Sequence, residues 1–194
     1  MRYAQIRSID ISNGEGVGVS LFVQGCDKKP HCKNCFNPET WDFNGGKEWT
    51  EETKNKFLEL IDRPYIKRVS ILGGEPLAEQ NLNDVLSLVQ EIRISFPEKT
   101  IWLYTGYCVT MSTHKYKDDN GNLQTEHLLC TEDQDTILKN LKRSFILSSV
   151  DVIVDGEYID EQRDITLKWR GSSNQRVIDV KQSLTQNKII LYCN

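Results

Sequence analysis

The sequence predicts an α/β fold, an incomplete TIM-like barrel of about six mainly parallel strands joined by helical crossovers. Short runs rich in valine, isoleucine and aromatic residues alternate with segments whose apolar residues recur with helical spacing. The chain has 194 residues, whereas a closed barrel of eight strands typically needs about 250. The predicted strands are residues 17–23, 66–72, 100–104, 150–154, 176–180 and 188–192.

Three helices are predicted between these strands, each from an apolar face of 3.6-residue period. The first follows a predicted N-cap at Thr50, and the third follows Thr131 and Gln134, which have capping-box spacing. Their apolar faces are formed by Phe57, Leu60 and Ile61, by Leu82, Val85, Leu86 and Val89, and by Ile137, Leu138 and Leu141. Because strand and helix alternate, we expect the functional edge at the carboxyl ends of the strands.

A single domain, residues 1–194, is expected from this length and from a composition that is 38% hydrophobic and 27% charged, which is ordinary for a globular protein. A polar, hairpin-like excursion is predicted at about residues 111–130. The dipeptide Asn120-Gly121 in its middle favours a tight hairpin turn.

The bulk properties argue against several classes of protein. A net charge of −4 is unlike that of a protein that holds a phosphate backbone, so we expect no nucleic-acid partner. No apolar run approaches the roughly 18 residues that span a bilayer, and the start of the chain lacks the apolar region of a signal peptide. We therefore expect a cytoplasmic protein with no membrane partner, whose six cysteines are ligands, reactive thiols or buried residues rather than disulfides.

Three cysteines, Cys26, Cys32 and Cys35, lie close together in the segment GCDKKPHCKNCFN, directly after the first predicted strand. Thiolates bind soft metals and iron–sulfur clusters. A cubane [4Fe–4S] cluster with three protein ligands keeps one iron open for a substrate, much as a catalytic zinc site keeps an open position. The segment therefore predicts a metal site, and a catalytic cluster is one interpretation of it.

Two other interpretations are thiols that merely happen to lie close and a structural zinc site, since His31 lies inside the same loop and would complete a set of four ligands. The chain would then be a non-catalytic zinc-binding interaction module, with His31 otherwise an ordinary loop residue. Cys108, Cys130 and Cys193 stand alone and are expected to be small buried or surface residues. Of these, Cys108 is expected near the functional edge, because it follows the strand at residues 100–104.

A second motif, Gly73-Gly74-Glu75-Pro76, follows the predicted strand at residues 66–72. Paired glycines let a ligand approach the backbone closely, and the proline fixes the turn that follows. By itself the motif is typical of a structural loop. Its position favours a functional role, because the motif and the cysteine segment are both expected at one edge of the sheet.

Together, the cysteine segment and the GGEP motif resemble the radical S-adenosylmethionine superfamily, and the resemblance covers residues 17–107. It implies that Cys26, Cys32 and Cys35 hold a catalytic [4Fe–4S] cluster. It also implies that the GGEP loop binds the amino group of S-adenosylmethionine. The reduced cluster would cleave this cofactor to methionine and a 5′-deoxyadenosyl radical.

Over almost the whole chain, the sequence is similar to the activating proteins of anaerobic (class III) ribonucleotide reductases. The segments that carry this likeness are SNGEGVGVSLFVQGC, YTGY, VDGEY and RGSSNQRVIDV. The likeness implies that the radical takes a hydrogen atom from a glycine of the large reductase subunit and that a flavodoxin-like protein donates the electron. The alternative is an enzyme that activates another glycyl-radical enzyme or acts on a small molecule.

The cysteine loop departs from the family pattern in two places. The first gap has five residues, Asp27 to His31, where the family usually has three, and this lengthens the loop without removing a ligand. Asn34 stands where many members of the superfamily have an aromatic residue. Phe36 is expected to shield the cluster instead.

Further candidate ligand-binding residues lie at the ends of later strands. Tyr104 and Tyr107 are expected either to pack over adenine or to fill ordinary strand-end positions. Asp155 is expected either to line the adenosyl or glycine-loop site or to be the turn residue that ends its strand. The polar segment at residues 170–176 is a candidate contact for the cofactor or the reductase, and otherwise a solvated loop.

Overall fold

The fold is built on an eight-stranded sheet, as seen in a computed structural model that describes residues 1–132 and 137–193. In chain order the strands are β1 (Arg2–Asp10), β2 (Gly18–Val23), β3 (Lys47–Glu48), β4 (Arg68–Gly73), β5 (Thr100–Tyr104), β6 (Val109–Lys117), β7 (Leu123–Thr131), β8 (Val152–Asp155), β9 (Arg176–Asp179) and β10 (Leu191–Cys193). The α-helices are α1 (Glu51–Ile61), α2 (Glu79–Ser95), α3 (Ile137–Ser149) and α4 (Val180–Gln186). The sheet order is β10-β9-β8-β5-β4-β2-β1-β3.

The four central strands are parallel, since β2 pairs with β4, β4 with β5, and β5 with β8. The strands on both flanks are antiparallel to their neighbours. The sheet is not closed, because β10 and β3 stand at its two ends. The α/β class is confirmed. The expectation of mainly parallel strands is wrong, and the predicted partial barrel is not confirmed.

Connection length explains why the first flank is antiparallel. A parallel pair needs a crossover of a dozen or more residues, usually a helix. Residues 11–17 are too few for such a crossover, so β1 and β2 pair in opposite directions. The sequence pattern does not predict β1, because most of its side chains are half-exposed or exposed and do not show a clean alternation.

The predicted apolar faces of α1 and α2 lie against the main core. Phe57 and Ile61 of α1 are fully buried, as are Val85 and Val89 of α2. The predicted N-cap of α1 is confirmed, because the side chain of Thr50 accepts a hydrogen bond from the N–H of Thr53 at 3.2 Å.

The predicted apolar face of α3 is wrong at two positions. Leu138 and Leu141 are 63% and 45% exposed, because α3 packs on the core through Ile146 and Leu147 near its end.

The start of the third helix differs from the prediction. Thr131 is the last residue of β7 rather than a helix cap, because its strand pairs with β6 up to that residue. Gln134, its predicted partner in the capping box, lies outside the described residues.

A two-stranded hairpin, β6 and β7, stands apart from the main sheet. At its turn, the N–H of Gly121 donates to the carbonyl of Asp118 at 2.8 Å. The Asp118 carboxylate also accepts from the N–H of Asn120 at 3.0 Å and of Asn122 at 2.9 Å. The structure thus has a tight turn at Asn120-Gly121, stabilised by an aspartate that caps the loop backbone.

The parallel strands bring the loops of interest to one edge. Val23 at the end of β2 lies opposite Gly73 at the end of β4, and Tyr104 of β5 lies opposite Val154 of β8. The loops that follow these strands are therefore neighbours. None of the helices in the described part of the chain is long and apolar enough to cross a membrane.

Candidate functional site

A cavity of about 560 Å³ lies at the carboxyl ends of the parallel strands. The loop after β2 contributes Cys26, Cys32, Cys35 and Phe36 to its lining, and β4 with its following loop contributes Gly73, Gly74 and Glu75. The end of β5 contributes Tyr104. The fold thus brings most of the residues singled out from the sequence to one cavity, while Pro76 and Asp155 are outside its lining.

The start of the cysteine loop is fixed by backbone hydrogen bonds to the segment that follows the third cysteine. The N–H of Gly25 donates to the carbonyl of Thr40 at 2.7 Å, and the N–H of Cys26 donates to the carbonyl of Trp41 at 3.1 Å. The side-chain amide of Gln24 adds a bond of 2.8 Å to the carbonyl of Glu39. The backbone at Cys26 is therefore fixed by hydrogen bonds.

The far end of the cysteine loop is attached to the loop between β8 and β9. Lys33 forms an ion pair of 2.8 Å with Glu161, and the Asn34 side chain donates to the Asp160 carboxylate at 2.8 Å. A Cβ atom on Gly171 would lie 2.6 Å from the Phe36 ring. Residue 171 must therefore be glycine for the cysteine loop and the loop between β8 and β9 to approach this closely.

The lengthened first gap folds against neighbouring aromatic residues. The Tyr107 hydroxyl donates to the Asp27 carboxylate at 2.7 Å, and the ring of His31 lies against that of Trp41, with 4.4 Å between centroids. His31 is not part of the cavity lining, whereas all three cysteines are. With this five-residue gap, all three cysteines belong to the cavity lining.

Burial dominates the electrostatics of the thiols. It raises the pKa of Cys26 to about 11 and also raises the pKa of Cys32. The backbone N–H groups of Lys28 and Tyr158 oppose these shifts at Cys26 and Cys32 respectively. The N–H of Asn37 donates to Cys35 Sγ at 3.5 Å. Bound metal cations would offset the free-energy cost of burying deprotonated thiolates. N–H···S hydrogen bonds orient thiolate ligands and adjust their affinity for the metal.

The donor set fits a polynuclear cluster. The three soft thiol donors stand around one cavity, and in a cubane each thiolate binds a different iron. In residues 1–132 and 137–193, no three His, Cys, Asp or Glu side chains are arranged around a single point as the ligands of one metal ion would be.

The GGEP loop lies directly against the cysteine loop. Its Gly74 N–H donates to the Val23 carbonyl at 2.9 Å, and its Glu75 N–H donates to the Gly25 carbonyl at 2.7 Å. A Cβ atom on Gly74 would lie 2.2 Å from that same Gly25 oxygen. Gly73 adopts φ of 112°, which favours glycine. Both glycines are therefore required by close backbone contact and backbone conformation.

Glu75 is 1% exposed, and its carboxylate connects two loops. Oε1 accepts hydrogen bonds from the N–H of Leu77 at 2.9 Å and the hydroxyl of Thr105 at 2.8 Å. Oε2 accepts from the N–H of Gly106 at 2.7 Å. Burial nevertheless outweighs these donors and raises the pKa of Glu75 to about 7. The side chain therefore joins the GGEP loop to the loop after β5.

Tyr104 and Phe36 supply aromatic walls, although they differ in exposure. The Tyr104 hydroxyl is buried and has no hydrogen-bond partner among the described residues, and burial raises its pKa. Phe36 is 58% exposed and packs on Tyr158 with 4.8 Å between ring centroids. Both rings line the cavity.

Asp155 and the isolated cysteines lie elsewhere. The buried Asp155 carboxylate accepts from the N–H of Val109 at 2.7 Å and forms an ion pair with Arg176. Its role in the structure is thus to join β8, β9 and the base of the hairpin. Cys108, Cys130 and Cys193 are free thiols that do not line the cavity.

Several cavity residues are not among the individual site residues predicted from the sequence. Trp169, Arg170 and Gly171 come from the loop between β8 and β9, and Ser12 and Asn13 follow β1. Of these, only Arg170 and Gly171 fall in the polar segment singled out as a candidate contact. β1 is antiparallel to β2, and its end at Asp10 lies opposite Gly18 at the start of β2, so Ser12 and Asn13 reach the cavity from the amino-terminal side of the parallel strands.

The chain matches the family model of the 4Fe-4S single cluster domain over residues 12–178. It is 37% identical over 177 residues to the anaerobic ribonucleoside-triphosphate reductase-activating protein of Vibrio cholerae, with 90% of this chain and 96% of that protein covered. The protein of the same name from Escherichia coli is 34% identical over 179 residues, covering 91% and 97%. That of Haemophilus influenzae is 32% identical over 177 residues, covering 90% and 96%.

The match to the family model includes both the cysteine loop and the GGEP loop, and the likeness to these relatives extends over about nine-tenths of the chain. The chain therefore belongs to the family of anaerobic ribonucleoside-triphosphate reductase-activating proteins, which carries a 4Fe-4S single cluster domain.

Proposed function

We propose that the chain is a radical S-adenosylmethionine enzyme that generates a glycyl radical on the large subunit of an anaerobic ribonucleotide reductase. One observation carries the proposal: the thiols of Cys26, Cys32 and Cys35 line the same cavity as the GGEP loop. The names of the relatives, which describe activating proteins of anaerobic ribonucleoside-triphosphate reductases, support the choice of target.

In this proposal Cys26, Cys32 and Cys35 hold a [4Fe–4S] cluster through one thiolate each, and the fourth iron has no protein ligand. When bound, the cluster would supply the electron that cleaves S-adenosylmethionine, and the adenosyl fragment would take a hydrogen atom from a reductase glycine. A flavodoxin-like protein in the cytoplasm is the proposed electron donor.

The GGEP loop and the aromatic walls would hold S-adenosylmethionine beside the cluster. Gly73 and Gly74 present bare backbone to the cavity, which lets the amino-acid end of the cofactor approach closely. Tyr104 offers a ring surface for adenine. Phe36, at the cysteine loop, excludes water from the cluster.

Glu75, Pro76 and Asp155 would act mainly by holding the loops in place. The Glu75 carboxylate fixes the loop after β5 through Thr105 and Gly106, and Pro76 is buried next to it. The Asp155 carboxylate and Arg176 fix the end of β8. These contacts keep the glycines and Tyr104 at the cavity without requiring every member of the motif to touch the cofactor.

The test uses protein reconstituted anaerobically with iron and sulfide. We expect close to four irons and four sulfides per chain, and formation of 5′-deoxyadenosine from S-adenosylmethionine under reducing conditions. With the large subunit of an anaerobic ribonucleotide reductase added, we expect the EPR doublet of a glycyl radical.

Cys26→Ser is expected to abolish 5′-deoxyadenosine formation, whereas Cys108→Ser, a change at an exposed thiol outside the cavity, should leave it intact. Zinc at one per chain without iron would contradict the proposal and favour the zinc-binding module. Cleavage of S-adenosylmethionine without a radical on the reductase would instead remove the proposed target alone.

A further inference from the structure

The lengthened gap of the cysteine loop places a lysine in the cavity. The side chain of Lys28 is part of the cavity lining, and its ammonium nitrogen lies 4.2 Å from the centroid of the Tyr107 ring. A cation over an aromatic face is held electrostatically at that position. Its sequence neighbour Lys29 is exposed and outside the lining. The two lysines thus differ in position, although they share one loop.

Lys28 has no acidic partner in the described part of the chain, where its ammonium forms no salt bridge. Lys33, in the same loop, is instead paired with Glu161 at 2.8 Å. A partly buried ammonium that forms no salt bridge retains its capacity to bind an anionic group of a ligand.

The position of Lys28 relative to the GGEP loop indicates which anionic group of a ligand it would bind. A Cβ atom on Gly106 would lie 3.5 Å from Lys28 Cε and 3.5 Å from Glu75 Oε2. The lysine stem therefore runs on the same side of the cavity as Glu75 and its loop. A bound amino acid needs acceptors for its ammonium and a cation for its carboxylate. The loop backbone can supply the acceptors, and Lys28 can supply the cation.

We propose that Lys28 binds the carboxylate of the methionine moiety of S-adenosylmethionine. The inference rests on the function proposed above and adds to it a cofactor-binding residue from the gap in which this chain departs from its family. The extra length of the gap would thereby serve cofactor binding, while the three thiols still line the cavity.

The test compares two ligands, S-adenosylmethionine and its decarboxylated form, which keeps the amine and the sulfonium but lacks the carboxylate. Equilibrium dialysis gives Kd for wild type, Lys28→Gln and Lys29→Gln after anaerobic reconstitution, with iron content measured first. Loss of a charged hydrogen bond predicts that Lys28→Gln binds S-adenosylmethionine about tenfold or more weakly. Its Kd for the decarboxylated ligand should equal that of wild type.

Lys29→Gln makes the same charge change in the same loop and is expected to alter neither Kd. Lys28→Arg should keep the preference of wild type for the carboxylated ligand. If Lys28→Gln fails to load iron, Lys28→Met replaces it, because methionine keeps an unbranched stem over the Tyr107 ring without the charge.

Equal weakening of both ligands by Lys28→Gln, or no weakening of either, would overturn the assignment of Lys28. These outcomes leave cleavage of S-adenosylmethionine by wild type intact. Failure of the wild type itself to bind or cleave S-adenosylmethionine would instead overturn the proposed function, and the assignment of Lys28 with it.

Discussion

The hydroxyl of Tyr107 donates a hydrogen bond to the carboxylate of Asp27 over 2.7 Å, joining the loop after β5 to the gap between the first two cysteines. Tyr107 is 6% exposed, and its hydroxyl also accepts a hydrogen bond from Arg143 at 3.2 Å. Lys28 and Arg143 both lie over its ring. The gap between the first two cysteines is therefore anchored to the sheet edge.

Removal of the hydrogen bond between Tyr107 and Asp27 should destabilise the folded protein. Tyr107→Phe deletes the hydroxyl and leaves the Asp27 carboxylate, whose Oδ1 already lacks a partner among the described residues, without its donor. We expect the free energy of unfolding, measured with urea, to fall by about 1–3 kcal/mol. Tyr116→Phe is the control, because Tyr116 is 50% exposed on the hairpin. Equal stability of the two variants would show that the Tyr107 bond contributes nothing.

The contact between the GGEP loop and the cysteine loop should not tolerate a methyl group. In Gly74→Ala the new Cβ would lie 2.2 Å from the Gly25 oxygen and 2.9 Å from the Thr40 oxygen. Both are backbone atoms, so relief requires one loop to move. We expect a loss of about 1–3 kcal/mol in unfolding free energy and a lower iron content after reconstitution.

Gly106→Ala is the matched control for that change. Its Cβ would meet its nearest neighbours at 3.5 Å, which is ordinary contact with side-chain atoms. Its loss of stability should therefore be clearly smaller than that of Gly74→Ala. Comparable losses in urea unfolding would mean that the backbone contact at Gly74 is not the limiting feature.

The stability of the cluster-free protein should depend on pH through Glu75. Burial raises the pKa of this carboxyl from its usual 4.5 to about 7, so the folded protein keeps a proton that the unfolded chain releases near pH 4.5. The contribution of Glu75 to stability should therefore be greatest below about pH 4.5, fall as pH rises to about 7, and change little above it. At about 1.4 kcal/mol for each pH unit, the fall is at most about 3.5 kcal/mol.

Urea unfolding of the wild type and of Glu75→Gln between pH 5 and pH 8 checks this dependence. The variant cannot release a proton at this position, so the difference between the two unfolding free energies should change across the window. The variant should also be less stable at low pH, because its amide nitrogen would face the Gly106 N–H, which now donates to Oε2. Parallel pH curves would rule out Glu75 as the titrating group.

A buried ion pair supports the sheet below the cavity. Arg68 is fully buried and Asp10 is 4% exposed, with 3.3 Å between Arg68 Nη2 and Asp10 Oδ1. Arg68→Met removes the buried cation and leaves the Asp10 carboxylate with the exposed Arg7, at 3.5 Å, as its only cation in the described part of the chain. We expect a loss of about 3–5 kcal/mol in unfolding free energy. Lys56→Met breaks an exposed pair with Glu52 and should leave the unfolding free energy almost unchanged, because solvent screens such a pair. A loss below about 1 kcal/mol for Arg68→Met would contradict the prediction.

The buried central strands are the part of the fold that the sequence predicts best. The predicted strand at residues 100–104 coincides with β5, because a strand covered on both faces is apolar whatever its neighbours are. β1 shows no such pattern, since it lies between β2 and the two-residue strand β3 near one end of the sheet. Its direction, and that of the other flank, depends on connections rather than on local propensity.

The sequence by itself determined the chemistry available to this protein: three thiols in one short loop, and a pair of glycines after the next parallel strand. Residue type and local spacing carry that information. Only the tertiary structure decided that Glu75 joins two loops, that Asp155 pairs with Arg176 outside the cavity lining, and that Lys28 lies in the cavity. The reason is physical, because these contacts join segments distant in sequence, and packing of the whole sheet determines which of them meet.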